Sequence, residues 1–226
     1  MSGWRDFCAP LLDFLFPPRC PACGAYVEKK GGWCAPCLAS AVRVRRLPLD
    51  DAQRGAISEA WALGLYHGPL RALLLPLKFK NRRDGLDALK TFLDAAGEKL
   101  PQAGRGQELV VPVPLFTAKE KARGGNQTEM IFRDWLTARG WTWRRALIRT
   151  RETEPQFGLP APQRMENIRG AFAPADDISR EEMAGKTILL VDDIFTTGAT
   201  LAECARTLKA AGAAEVRALA LSSDRV

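Results

Sequence analysis

Asp192 and Asp193 follow the apolar run Ile188 to Val191 and precede Thr196, Thr197, Gly198, Ala199 and Thr200. Adjacent carboxylates accept hydrogen bonds from neighbouring sugar hydroxyls, threonines offer hydroxyl donors, and a glycine lets backbone approach an anion closely. Amides at the start of a following helix would suit a phosphate. A ribose carrying a 5-phosphate satisfies both halves of the stretch. The plainer reading, in which Asp and Thr merely cap a helix or turn, accounts for each residue but not for their order. Two competing phosphate motifs, G-x-x-x-x-G-K-[ST] and G-x-G-x-x-G, do not occur in the chain.

A second constellation is Cys20-Pro-Ala-Cys23 and Cys34-Ala-Pro-Cys37. Thiolates are soft ligands, and each C-x-x-C wraps two sulfurs onto one tetrahedral ion, so the expectation is a structural Zn²⁺ held by Cys20, Cys23, Cys34 and Cys37. The gap between the pairs is shorter than the common ribbon spacing of about 15 to 20 residues. Two disulfides or a redox C-x-x-C are the alternatives, disfavoured by the expected reducing compartment and by the lack of a thioredoxin-like strand and helix. Fewer than about 40 residues cannot hold together by apolar burial alone, so the metal is the expected folding nucleus.

Basic segments supply a third set. Lys78 to Arg83 closes a leucine-faced helix, as either a solvated C-terminus favoured by the dipole or an edge facing phosphates. Lys119, Lys121, Arg123, Gly124, Gly125, Asn126 and Gln127 combine cations, flexible backbone and amides before a helix; they suit a diphosphate or an ordinary basic loop. Arg43, Arg45 and Arg46 suit a nucleic-acid contact or a solvated linker equally well. Between Arg149 and Lys186 no strong periodicity occurs, and Arg149, Arg151, Thr153, Gln156, Arg164, Asn167 and Arg169 are expected on an irregular lid. His67, the sole histidine, sits in an expected turn and receives no catalytic role.

Strands and helices must hold these groups. The unalternating apolar run before Asp192 is what a parallel strand covered on both faces requires. Further strands are expected over Ala60 to Tyr66, Glu108 to Pro114, Thr142 to Ile148 and Glu215 to Leu221. Helices are expected from Gly68, over Asp84 to Leu100, Thr128 to Arg139 and Leu201 to Ala211, with Pro76 kinking or ending the first. Trp4 to Phe16 has the spacing of a short amphipathic helix stopped by Pro17 and Pro18, with Cys8 a packed thiol. Leu47 to Ser58 turns polar. The expected organisation is therefore a helix and zinc module over 1–46, a linker over 47–58 and an α/β domain over 59–226, in which Cys204 belongs to the core.

With 226 residues and 46% hydrophobic content, the chain can bury one sizeable α/β core beside a small appendage. No apolar run reaches membrane-spanning length, and the first segment lacks a signal-peptide cleavage pattern, so a cytoplasmic location is expected. A net charge of +7 favours phosphorylated or polyanionic partners.

The Asp192 to Thr200 stretch resembles the phosphoribosyl-diphosphate (PRPP) motif of type I phosphoribosyltransferases. The whole chain resembles the ComF family of competence-associated proteins. The residues carrying that likeness are the four cysteines, Tyr66-His-Gly with Lys78-Phe79, Val111-Pro-Val-Pro-Leu115 and Arg123-Gly-Gly-Asn-Gln127. Arg149, Thr153, Gln156, Leu159, Arg164, Asn167, Gly170-Ala-Phe172 and the acid pair complete the set. Gly125 departs from the pattern, which has an aromatic residue there, so contacts of that loop are less secure than those of the acid pair. The resemblance implies an α/β fold with a type I phosphoribosyltransferase-like parallel sheet flanked by helices, and a small zinc-ribbon-like module before it. It implies PRPP bound with Mg²⁺: ribose hydroxyls on Asp192 and Asp193, which are also the expected catalytic residues, and the 5-phosphate on Thr196, Thr197, Gly198, Ala199 and Thr200. The diphosphate would face Lys78, Arg123, Asn126 and Gln127, with Arg149, Gln156, Arg164 and Asn167 on the lid. It also implies handling of incoming single-stranded DNA during natural transformation, near the DNA-uptake helicase, by a transferase of unknown acceptor, a PRPP-binding accessory protein or a zinc-module adaptor.

Overall fold

The computed structural model describes residues 16–79, 83–100, 108–153 and 161–225. The helix expected over Trp4 to Phe16 lies outside them except for Phe16; so do Lys80 to Arg82, Gln156 and Leu159.

Among the described residues eight strands are formed: β1 Val42–Arg46, β2 Glu59–Leu65, β3 Glu108–Pro112, β4 Thr142–Trp143, β5 Leu147–Arg149, β6 Phe172–Pro174, β7 Thr187–Phe195 and β8 Glu215–Ser223. Six make one sheet in the order β1-β2-β8-β7-β3-β4, and β5 pairs with β6 apart from it. Every neighbouring pair in the large sheet is parallel except β1 with β2. The fold is thus mixed α/β with a mostly parallel sheet.

The apolar runs of the central strands divide between two cores because successive side chains face opposite ways. In β7, Ile188 and Leu190 enter one core while Leu189 and Val191 enter the other. Strand β8 divides likewise, with Val216, Ala218 and Ala220 on the first side and Leu219 and Leu221 on the second.

The helices in chain order are α1 Ala35–Ala41, α2 Asp51–Arg54, α3 Gly68–Phe79, α4 Leu86–Gly97, α5 Thr117–Ala122, α6 Gln127–Thr137, α7 Ala161–Ile168, α8 Arg180–Met183 and α9 Ala199–Ala210. The second core gathers Leu70, Leu74 and Leu77 of α3, Leu89, Phe92 and Leu93 of α4, and Phe132 and Trp135 of α6. Leu201, Cys204, Ala205 and Leu208 of α9 fill the first. Pro76 does not end α3, which runs on to Phe79 and so carries Lys78.

Three expectations need correction. Arg43, Arg45 and Arg46 are not a linker: β1 is an edge strand of the main sheet, on which Arg43 and Arg46 stay exposed. Arg45 turns inward, donating to the carbonyls of Ser223 at 3.2 Å and Gly64 at 3.3 Å. The segment 47–58 is not a linker either, because Leu47, Leu49, Gln53, Ala56 and Ile57 are buried and α2 packs near α9. The span expected to be one strand, Thr142 to Ile148, is two strands in different sheets.

The supposed irregular lid is also largely regular. Leu147 pairs with Pro174 and Arg149 with Phe172, while Ile168, Phe172 and Met183 insert into the first core. Within the span 149–186 only 154–160 lies outside the described residues.

Candidate functional site

The four cysteines are brought together as expected. Cys20, Cys23, Cys34 and Cys37 place their sulfurs within 4.8 Å of one another, and Cys23 and Cys34 are 3.7 Å apart without a disulfide. Tetrahedral Zn–S bonds of about 2.3 Å imply sulfur separations of about 3.8 Å, so the set fits one Zn²⁺. Burial opposes ionisation of Cys20, yet the amides of Cys23, Cys34 and Ala22 directed at its sulfur outweigh this and lower its pKa to about 6. Hydrogen bonds with the Cys34 and Cys23 sulfurs push Cys37 up to about 12. Cys20 and Cys37 are thus shifted in opposite directions by sulfurs and amides crowded at one point, a crowding that a shared divalent metal would relieve.

The module is fixed to the main domain. Trp33 donates through its indole to the Ala88 carbonyl at 2.9 Å and lies 6.3 Å from the Phe92 ring. Gly31 has φ 76°, and a Cβ there would come within 2.4 Å of the Asp87 Cβ, so only glycine allows this approach to α4.

At the end of β7, the acid pair follows the alternation of the strand. Asp193 is 7% exposed and meets Lys78 of α3, Nζ to Oδ2 2.8 Å. Burial alone would lower the Lys78 pKa, but the Asp193 carboxylate overrides it and the net shift is upward. Asp192 has its pKa raised to about 8, first by burial and then by the Asp193 charge, against the opposing pull of Lys78. Its Oδ1 accepts from the Asp193 amide at 2.8 Å.

After Phe195 the chain turns through Gly198, whose φ of 80° is left-handed, and enters α9. A Cβ at Gly198 would meet Phe195 Cζ at 2.6 Å and Gln53 Nε2 at 2.8 Å. Thr196, Thr197, Gly198, Ala199 and Thr200 therefore surround the start of a helix beside the acid pair. The Thr197 carbonyl is engaged from behind by Gln53, Nε2 to O 2.7 Å, and by Arg225, Nη2 to O 3.4 Å.

The loop after β3 is arranged differently from its chemical reading. Asn126 is buried, donates to the Val113 carbonyl and accepts from the Thr128 amide, each at 2.9 Å, so its side chain caps α6 instead of reaching outward. Gln127 is buried too, donating to the Gly125 carbonyl and accepting from Arg123, each at 3.2 Å. Both amides shape the loop that presents Arg123. Gly125, at φ 134°, would bring a Cβ within 2.7 Å of the Met130 terminus. Arg83 adds a hold that the sequence did not reveal, donating to the Gly124 carbonyl at 2.9 Å.

Arg149 ends β5 with its guanidinium 5.6 Å from the Phe172 ring centroid and a hydrogen bond to the Thr153 hydroxyl. Burial lowers its pKa, with the Asp192 charge acting the other way. Among the described residues, its buried Nε has no hydrogen-bond partner. Asn167 lies at the end of α7, where its carbonyl accepts from Arg151 at 3.0 Å. Arg164 falls on α7, and its side chain is outside the described set. Beside this edge, an open cavity of about 830 Å³ runs from Pro112 and Pro114 past Gly124 and Trp143 to Arg149.

Comparison with known proteins agrees with both centres. The double zinc ribbon domain family matches residues 11–47, and the phosphoribosyl transferase domain family matches residues 138–225. Competence protein F of Haemophilus influenzae is 28% identical over 210 residues, covering 91% of this chain and 84% of that protein. DNA utilization protein YhgH of Escherichia coli K12 is 30% identical over 209 residues, covering 88% of this chain and 81% of that protein. The chain belongs to the ComF family. In this ComF protein a stretch of 55 residues is also 46% identical to putative ribose-phosphate pyrophosphokinase 2 of Streptococcus mutans, covering 22% of the chain and 17% of that protein. Among the described residues of the ComF chain, no helix is long and apolar enough to cross a membrane.

Proposed function

We propose that this ComF protein binds PRPP at the end of β7 and transfers its phosphoribosyl group to an acceptor. The observation that carries the reading is the junction of Lys78 with the acid pair immediately ahead of the Gly198 turn and α9. That junction brings carboxylates for ribose hydroxyls, backbone amides for a 5-phosphate and a cation within one short stretch. The local likeness to a protein named as a ribose-phosphate pyrophosphokinase supports the same ligand class.

In this reading Asp192 and Asp193 orient the ribose, and the amides and hydroxyls of Thr196 to Thr200 take its 5-phosphate. Arg123, on the loop shaped by Asn126 and Gln127, meets the diphosphate, with Arg149 at the end of β5. Carboxylate and phosphate oxygens are the ligands Mg²⁺ prefers, and the acid pair fits that chemistry; bound with PRPP, the ion would neutralise charge on the diphosphate. The bond from ribose C1 to the diphosphate oxygen breaks with its electron pair leaving on oxygen, and an acceptor lone pair forms the new bond at C1. The ribose carries positive charge in between, so positioning and electrostatics do the catalytic work without a covalent nucleophile.

The names of the two full-length relatives point to DNA utilisation and competence as the setting. The exposed arginines Arg43 and Arg46 on β1 flank a surface on which single-stranded DNA would bind with strong salt dependence. The test is diphosphate release from PRPP in the presence of Mg²⁺ and, separately, free nucleobases or single-stranded oligonucleotides. Release with one acceptor class identifies the substrate; PRPP binding with silence across all acceptors would replace the transferase by a PRPP-binding accessory protein.

A further inference from the structure

We infer that Gln53 and Arg225 form a brace behind the phosphate loop and set its affinity for the 5-phosphate, a proposal that rests on the PRPP reading above. The two residues come from opposite ends of the domain, yet both donate to one backbone atom, the Thr197 carbonyl, at 2.7 Å and 3.4 Å. Holding that carbonyl backwards turns the following amides, at the Gly198 turn and the start of α9, towards an incoming anion.

Each member of the brace is itself held. Gln53 is 3% exposed and closes a reciprocal cap with Asp50: its backbone amide donates to Asp50 Oδ1 at 2.9 Å, and its Oε1 accepts the Asp50 amide at 3.1 Å. The side-chain amide is thereby oriented with Nε2 towards the loop. Arg225 lies 5.5 Å from the Phe195 ring centroid and also reaches the Pro48 carbonyl at 3.4 Å. Arg45 of β1 donates to the Arg225 carbonyl through Nε at 3.1 Å, so the strand edge fixes the position from which Arg225 acts. A glycine is required at 198 partly because Gln53 Nε2 stands 2.8 Å from where a Cβ would be. Arg225 further places a positive charge next to the loop that would receive a dianionic phosphate.

The brace acts on one end of PRPP only, and this separates a positioning role from a purely structural one. Calorimetry on the full zinc-loaded chain would compare PRPP, ribose 5-phosphate and inorganic diphosphate, all with Mg²⁺. Gln53→Glu keeps the oxygen that accepts from Asp50 and exchanges only the atom facing Thr197. Arg225→Met keeps the stem and removes the charge, and Arg225→Lys restores charge alone. Each of the first two should weaken PRPP and ribose 5-phosphate by about tenfold while leaving diphosphate within about twofold, and Arg225→Lys should recover part of the loss. Equal weakening of all three ligands, or unchanged binding in both variants, would overturn the brace. Failure of wild-type protein to bind either PRPP or ribose 5-phosphate would instead overturn the PRPP reading and the brace with it. Thermal melts distinguish unfolding from a lost contact, and Arg225→Met, at the less buried of the two positions, carries the test if Gln53→Glu does not fold.

Discussion

Lys78 Nζ sits 2.8 Å from Asp193 Oδ2, tying α3 to the last turn of the central strand before the glycine loop. Their side chains retain 20% and 10% exposure, so the pair is shielded from screening by solvent and neither charge is easily left alone. Lys78→Met should destabilise the protein by about 3 kcal/mol in urea titrations. The double variant Lys78→Met, Asp193→Asn should recover more than half of that loss, because no buried charge is then unpaired. A double variant no more stable than Lys78→Met would show that the pair contributes by packing.

Asp192 bears the opposite cost. Burial and the neighbouring Asp193 charge raise its pKa to about 8, well above the value of an unfolded aspartate, so folding favours its protonated form. Its favourable contribution is complete below about pH 4 and declines as pH rises towards 8. Asp192→Asn should therefore melt higher than wild type at pH 7.5, by roughly 3 °C or more, with the difference closing near pH 4. Melting temperatures across pH 4 to 8 check the sign; a variant less stable at neutral pH would contradict it.

Gly198→Ala combines two strains, a left-handed φ of 80° and a Cβ 2.6 Å from Phe195 Cζ. About 2 kcal/mol of stability should be lost. Trimming the ring in Gly198→Ala, Phe195→Leu should not restore PRPP affinity, since the backbone strain persists. Restored affinity would assign the glycine to packing alone.

Zinc should be present at one ion per chain, and its removal should be felt beyond the four cysteines. Because Trp33 is held between Ala88 and Phe92, a chelator should shift tryptophan emission to the red and lower the melting temperature. Trp33→Phe should abolish most of the emission change. An unaltered melting temperature after complete metal loss would contradict a structural role.

What the sequence disclosed divides by the range of the interactions involved. The C-x-x-C pairs and the acid-pair strand were legible because their chemistry is local: four thiols need only two tight turns, and Ile188 to Val191 need only two covered faces. Strand β1 was missed although Val42-Arg43-Val44-Arg45 alternates as a half-buried strand does, because three arginines in five residues outweighed that short pattern and only pairing with β2 shows the edge. The antiparallel pairing of Leu147–Arg149 with Phe172–Pro174 joins residues far apart in the chain, which no periodicity announces. Asn126 and Gln127 carried the right chemistry for a diphosphate, yet their amides serve the helix start. Gln53 had one available signal, the Asp50-x-x-Gln53 spacing of a capping box, which would have argued against a linker.

The central claim is that the acid pair and the glycine loop form a working PRPP site. Calorimetry of PRPP with Mg²⁺ on the wild type and on Asp192→Asn, Asp193→Asn tests it most directly. Saturable one-to-one binding by the wild type, weakened at least about a hundredfold in a double variant that still folds, is the predicted result. Equal binding by both proteins, or none by the wild type, would contradict the account.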